Sequence, residues 1–395
     1  MSATISTPRR GALKRLWRNI HLWLGVGLFV LLVPIALSGA ILVYHDDIEE
    51  FMRTPAGAVA PATPTDLTKA VANAKTAAGT GFQPVNIRIP DDARVPLGIL
   101  LRGQARQQGE RPPFLMALID RHDSRVLKIS DFRNTFFGFM HVFHENLTIP
   151  FYYGRDIVGW GGVAMLILAL TGLYLWWPRR DQWSRAFAWR RSPATSSNLH
   201  YLTGFWICFP LALVSLTGIY LAWPQQGRSV LSSMAAMTPQ PARGAGPGGG
   251  PLIAEPARSP SDVYAMASGL GRGQVDMIGF PNAQGALWRA RLNAEDRTEP
   301  VTIMINDRSG AITTVEPLPG DRVTFWIRWL HEGSHAGEIW RFIVFLSGVI
   351  PAVLGVTGIL IWLRQRRQRK LVKAGTPSTA VKTSAQTVGS ASPAE

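Results

Sequence analysis

The chain has 395 residues, 47% of them hydrophobic and only 17% charged, and a net charge of +15. So low a charged fraction suits a membrane protein better than a soluble one. Cys208 is the only cysteine, which excludes intrachain disulfides and any cysteine-based metal site.

Residues 1–19 are a basic lead carrying Arg9, Arg10, Lys14, Arg15 and Arg18. Apolar runs follow at 20–44, 156–177, 199–223 and 339–363. Each is close to the roughly 20 residues that a bilayer-spanning helix needs. Pro34 is expected to kink the first run. Ser38-Gly39-Ala40 resembles a signal cleavage site, but the run is long for a signal core and cleavage would discard His21.

The loop 178–198 holds Arg179, Arg180, Arg185, Arg190 and Arg191 against Asp181, and the tail 364–395 is equally basic. Together with the lead these segments carry the whole net charge, and the rest of the chain is balanced. That distribution is the positive-inside pattern. It predicts a multi-pass membrane protein with both termini and the middle loop cytoplasmic and with 45–155 and 224–338 facing outward. The charge flanks spans and forms no single patch, so lipid is the expected partner and nucleic acid is not.

Within 45–155, Thr63-Pro64-Thr65-Asp66-Leu67 opens a helix running to about 78, and within 224–338, Ser259-Pro260-Ser261-Asp262-Val263 opens one to about 269. Short β-type runs follow at 85–89, 97–101, 114–119 and 126–129, and at 275–280, 286–292, 301–305 and 311–315. Each segment therefore predicts an α+β module of one helix and a four-stranded antiparallel sheet. The turn Asp123-Ser124-Arg125-Val126 lacks the glycine of Asp307-Arg308-Ser309-Gly310, so the first module is expected to be less regular. Residues 225–258 read as a flexible Pro/Gly-rich lead and 371–395 as a disordered tail.

Histidines carry the candidate chemistry. Asn19-Ile20-His21 with Gly25 and Asn198-Leu199-His200 with Gly204 are two copies of one motif, each opening an apolar run. Phe143-His144-Glu145 and Leu330-His331-Glu332 are a second motif, each placed before another run. His21 to His200 and Gly39 to Gly218 are both 179 residues, while His144 to His331 is 187 and Gly172 to Gly358 is 186. The spacing predicts a duplicated two-span unit forming a four-helix transmembrane bundle.

Two copies of a motif at equal depth can face each other, which is what a bis-histidine haem requires. His21 with His200, and His144 with His331, are thus read as axial ligands of two b-type haems near opposite membrane faces. Gly25 and Gly204 lie one turn beyond their histidines and would leave room for a porphyrin edge. Arg18 and Arg328, three residues before a ligand, are candidates for haem propionates.

His141 and His335 are alternates for their neighbours, and His45 is a candidate for a metal or substrate site. His122 reads as a surface residue. A metal cluster on the outer side, of His141, His144, His331 and His335 with Glu145 and Glu332, is a competing arrangement. Every span also carries a Ser/Thr-Gly pair: Ser38-Gly39, Thr171-Gly172, Thr217-Gly218 and Thr357-Gly358. Ordinary helix packing accounts for these as well as a cofactor does. Phe136, Phe137, Phe139, Tyr152, Tyr153 and Trp160 would suit a quinone or chelate surface, or an interfacial aromatic belt.

The Leu/Ile-His-x-x-x-Gly starts of spans one and three, the Thr171-Gly172 to Pro178 end of span two and Leu330-His331-x-Gly333 resemble the PepSY-associated transmembrane helix family over residues 15–365. The resemblance implies two periplasmic PepSY-like modules. It also implies an inner-membrane oxidoreductase that reduces ferric siderophores in the periplasm, with iron-release partners there. No dinucleotide fingerprint is present, so a quinol or a protein is the expected electron donor. The alternative is a non-catalytic membrane-anchored module that binds a peptide, protein or metal.

Overall fold

In a computed structural model the described residues are 9–52, 65–104, 112–149, 151–178, 187, 194–239, 251–293 and 300–374. The chain opens with α1 (Arg9–Gly27), α2 (Phe29–Val43) and α3 (His45–Met52). Next come α4 (Leu67–Ala78), β1 (Gln83–Arg88), β2 (Leu97–Arg102), β3 (Phe114–Ile119) and β4 (Val126–Asp131). A short 3-10 turn leads into α5 (Phe136–Asn146), followed by α6 (Phe151–Trp176), α7 (Thr195–Ala222) and α8 (Pro224–Ser232). The remainder is α9 (Pro260–Ser268), β5 (Gln274–Gly279), β6 (Leu287–Asn293), β7 (Val301–Asn306), β8 (Ile312–Val315), α10 (Pro319–Glu332) and α11 (Gly337–Ala374).

Among the described residues three helices are long and apolar enough to cross a membrane: Tyr153–Trp176, Thr195–Ala222 and Gly337–Leu371. The bent pair α1 and α2 makes a fourth if it is one span. The expected continuous run 20–44 is therefore broken, by 71°, at Leu28 and not at Pro34. Gly25 and Gly27 sit just before the break, where each lowers helix stability by up to about 1 kcal/mol relative to alanine. The Pro/Gly-rich stretch 240–250, most of the loop 178–198 and the tail from 375 lie outside the described residues.

The two expected four-stranded sheets are one eight-stranded antiparallel sheet, ordered β4-β3-β2-β1-β5-β6-β7-β8. Its seam pairs β1 with β5, Ile87 opposite Ile278. Each meander alone would leave its first strand as an open edge, and pairing the two edges removes that liability. The seam also merges the cores: Ile87, Ile278, Trp288 and Ile303 are fully buried together with Ala70 and Ala74 of α4 and Val263 and Ala267 of α9. Burial of each large aliphatic is worth about 1.5–3 kcal/mol.

Both helices begin on caps, but different ones. Asp66 accepts from the Thr68 and Lys69 amides and so starts α4. Ser259 and Asp262 form a capping box on α9. Ser261 donates to Asp66, which ties the two helix starts together.

The turn without glycine is no less regular than its counterpart. The Asp120 amide donates to Arg125 O at 2.8 Å and the Asn306 amide to Ala311 O at 2.9 Å, closing the same loop. Ser124 takes φ 62° where Gly310 takes 72°. The Ser124 carbonyl accepts from Asn73 of α4, which helps hold the residue in this left-handed conformation.

Candidate functional site

The four motif histidines meet as two facing pairs. His21 on α1 and His200 on α7 have ring centres 6.3 Å apart and nearly perpendicular planes. His144 on α5 and His331 on α10 have centres 6.2 Å apart and planes at 44°. α5 and α10 hang directly from the two ends of the sheet, so the second pair lies on the sheet side of the helices and the first at the far end. His144 and His331 thus sit on short helices of their own, each just before a long apolar one, as expected. Thr135 caps α5 through the Gly138 amide, and Gly333 ends α10 at φ 79°.

Each ring is held in the same way. His21 Nδ1 lies 2.9 Å from Thr171 Oγ1, and His200 Nδ1 3.0 Å from Thr357 Oγ1. His144 Nδ1 lies 3.2 Å from Ser38 Oγ, and His331 Nδ1 3.2 Å from Thr217 Oγ1. All four hydroxyls donate their own proton to a carbonyl one turn back: Ile35, Ile167, Leu213 and Val353. A hydroxyl so committed can only accept, so each Nδ1 must be the protonated nitrogen. The sheet-side rings also donate to carbonyls, Ile35 O at 2.9 Å and Val214 O at 3.0 Å. In all four rings Nε2 keeps its lone pair for another partner. Metal-ligating histidines are oriented by this kind of second hydrogen bond.

The glycine of each pair makes room for the ring. A Cβ at Gly39 would stand 2.8 Å from His144 Cε1, and one at Gly218 2.9 Å from His331 Cε1. At Gly172 and Gly358 the distances to His21 and His200 Cε1 are 3.2 and 3.4 Å. So the Ser/Thr-Gly pairs are not general packing residues: in every span they seat one histidine. Their recurrence in all four spans was the signal, and its pairing with the four histidines was what sequence reasoning missed.

An iron between two imidazoles, on bonds of roughly 2 Å with each ring centre about 1 Å beyond its nitrogen, would separate the centres by about 6 Å. Each pair, with neither Nε2 engaged by its Nδ1 partners, offers two imidazole nitrogens that could hold a haem iron. Burial, with His331 beside it, pushes the His144 imidazole down to about 4, and burial lowers His331 too. Both are then neutral at neutral pH, the form that ligates a metal.

The other expected site residues are placed differently. His141 pairs with Glu145 at 3.3 Å, and that carboxylate holds its imidazole above the ordinary value. His335 stacks on Trp329 with centres 4.5 Å apart. Neither replaces its neighbour in a facing pair. The competing cluster does not form: among the described residues no group of three or more His, Cys, Asp or Glu could hold a metal ion. The same holds for His45, whose Nδ1 donates to Leu42 O at 2.7 Å. His122 is exposed, as expected.

Arg328 is exposed and paired with Glu332 at 2.7 Å, because the two sit one turn apart on α10. Arg18 is exposed. Gly25 and Gly204 face Leu168 and Leu354, where an added Cβ would meet ordinary contact at 3.7 Å. Among the aromatic residues, Phe137 is buried while Phe136, Phe139, Tyr153 and Trp160 are exposed. The side chain of Tyr152 lies outside the described residues.

Arg155 of α6 donates to Leu221 O at the end of α7, and Arg341 of α11 donates to Val43 O at the end of α2. Each arginine thereby satisfies a terminal carbonyl of a helix from the other half.

The model of a family described as the PepSY-associated TM region matches residues 18–365. A search of curated proteins found no match.

Proposed function

The chain belongs to the PepSY-associated TM family, and from that premise we propose that it is an inner-membrane di-haem electron-transfer protein that reduces a ferric siderophore or similar ferric chelate in the periplasm. The observation that carries this reading is the pair of histidine gaps, 6.3 and 6.2 Å between ring centres, each with both Nδ1 atoms engaged. His21 and His200 would hold one haem b, and His144 and His331 the other. Haem, when bound, would supply one-electron transfer, and bis-histidine ligation leaves no open position for substrate on the iron.

The residues of the chain do the rest. The hydroxyls of Ser38, Thr171, Thr217 and Thr357 fix the tautomer and the ring orientation. The glycines beside them let the rings approach the helices. We read the spans as a four-helix bundle built from a duplicated two-span unit. The matched seats of the four histidines and the matched roles of Arg155 and Arg341 support that reading. The basic segments favour cytoplasmic termini, which puts the sheet in the periplasm beside the His144–His331 pair. The electron donor is a quinol or a partner protein. An apolar groove of about 440 Å³ between α7 and α11, lined by Trp206, Phe209 and Trp340 among others, is where a quinol would fit.

The deciding experiment is an oxidised-minus-reduced absorption spectrum of the detergent-purified protein with haem quantitation. Low-spin b-type bands and two haems per chain are expected. A colourless protein from haem-sufficient cells would overturn the proposal in favour of a non-catalytic anchored module.

A further inference from the structure

The two halves of the chain each place one arginine beside the sheet-side pair, and only one of the two has an acid. Arg155 and Arg341 are 186 residues apart, the same step as Gly172 to Gly358. Each is the fifth residue of its helix, α6 or α11. Each donates to a carbonyl at the end of a helix from the other half, Leu221 O or Val43 O. Arg341 also pairs with Asp47 and Glu338 and lies over the Tyr44 ring. Val43 to Leu221 is 178 residues, and the same step from Asp47 arrives at Gln225, which is neutral and exposed.

Arg155 therefore lacks the counterpart of Asp47. Among the described residues its guanidinium makes one hydrogen bond, from Nη2 to Leu221 O at 2.9 Å, and no ion pair. Its Nε is buried and has no acceptor. Two acids stand close by, and both are engaged. Asp156, next in sequence, accepts from Trp223 Nε1 at 2.7 Å. Glu145 pairs with His141 at 3.3 Å, and its carboxyl is held low by that imidazole first and by the more distant charge of Arg155 after it. A buried N–H of a cation without an acceptor is costly, and an anion that meets it relieves the cost.

Capping of α7 does not account for Nε. Leu221 O needs one N–H, which a neutral amide could supply. The surroundings say what the rest of the guanidinium faces. Leu221 lies one turn beyond Thr217 and Gly218, which seat His331. Gly154, the residue before Arg155, is pressed against Asn146 O, two residues after His144, and a Cβ there would collide with it. Arg155 thus stands between the carriers of His144 and His331, at the outer rim of their gap. Haem carries two propionate carboxylates on one edge, and a guanidinium takes a carboxylate side-on through Nε and Nη. Arg328, expected from the sequence to do this, is exposed and already paired with Glu332.

We propose that Arg155 holds a propionate of the haem seated between His144 and His331. The inference rests on the di-haem reading, and its test separates the two.

Full-length wild type, Arg155→Gln and Arg155→Lys would be compared by haem quantitation and by redox titration of each site. A cation at the propionate favours reduction, which adds an electron beside it. Glutamine keeps an N–H for Leu221 O and removes the charge. The sheet-side haem should then become about tenfold harder to reduce, a fall of about 59 mV for one electron, with the far haem unmoved. Lysine should recover most of the fall. Loss of the sheet-side haem alone from Arg155→Gln, reversed by lysine, is the same result carried further. Reconstitution of the apoprotein with haem dimethyl ester, whose propionates carry no charge, closes the cycle: there the same substitution should have roughly a third of its effect or less. An unchanged sheet-side potential in Arg155→Gln, with both haems present, would overturn the proposal and leave the di-haem reading intact. So would an undiminished shift with the ester, because the charge would then act without holding a propionate. A wild type without haem would take both readings down.

Discussion

The far histidine pair is carried by the long helices themselves, whereas the sheet-side pair is carried by two short helices suspended from the sheet. The seats differ accordingly. At the far pair the closest fixed partner is the hydroxyl, at 2.9 and 3.0 Å. At the sheet-side pair it is a backbone carbonyl, at 2.9 and 3.0 Å, with the hydroxyl at 3.2 Å. The glycines differ in the same sense, being tighter against the sheet-side rings. A ring held mainly by backbone and steric fit is sensitive to added bulk. A ring held mainly by a side-chain hydroxyl is sensitive to its removal.

The largest effect expected is loss of the ligands. His144→Ala or His331→Ala should remove one of two haems and spare the far site, while His21→Ala or His200→Ala should do the opposite. Haem quantitation with separate redox titration of the two sites reads this directly. Loss of both haems from every variant would mean that the pairs are not independent.

Next in size come the glycines. Gly39→Ala and Gly218→Ala force a contact under 3.0 Å and should empty the sheet-side site in most molecules. Gly172→Ala requires a shift of a few tenths of an ångström and Gly358→Ala almost none, so both should keep the far haem with at most a changed spectrum. Equal loss at both sites would erase the distinction between the seats.

The hydroxyls should reverse that order. Thr171→Val and Thr357→Val should shift the far site's potential more than Ser38→Ala and Thr217→Val shift the sheet-side one, because the hydroxyl is the nearer partner of the far rings and the farther partner of the sheet-side ones.

The smallest effect concerns the suspension of α10. Asp321, at its start, accepts from the Thr238 amide and hydroxyl and lies 3.6 Å from Arg228. Burial alone would raise its carboxyl, but these donors, the Leu318 amide and Arg228 outweigh it and hold the group below its ordinary value. A carboxylate depressed in the fold stabilises it above its unfolded value, near 4, and that stability is lost as pH falls through the folded value. Asp321→Asn should therefore lower the melting temperature at pH 7 by a few degrees and narrow the gap to wild type in acid. The sheet-side site should feel the change and the far site should not.

Much of this was legible in the chain. The eight strands lie within about two residues of their expected ends, because alternation and turn residues act locally. The four histidines were marked by repetition. What could not be read were the relations between distant segments. The seam between Ile87 and Ile278 joins strands whose sequences give no sign of each other, and strand edges carry no label for their partner. The Ser/Thr-Gly pairs were visible, but a hydroxyl in an apolar helix reads the same whether it meets a neighbouring helix or a ring. The bend at Leu28 was hidden behind Pro34, the stronger local breaker. Ser124 concealed a glycine-type turn because tertiary hydrogen bonds, and not its residue type, stabilise it.

The eight-stranded sheet works as a tie between the two halves of the chain. Its two outermost strands, β4 and β8, each run on into the helix that presents a sheet-side histidine. The two short helices are therefore tied to each other through a plate that neither half can build alone. Half a chain could fold its own meander and present one imidazole, but it would have no means of setting the other at the right remove. The β1–β5 seam is a property of the joined molecule, and it ties the carriers of the two imidazoles into one body.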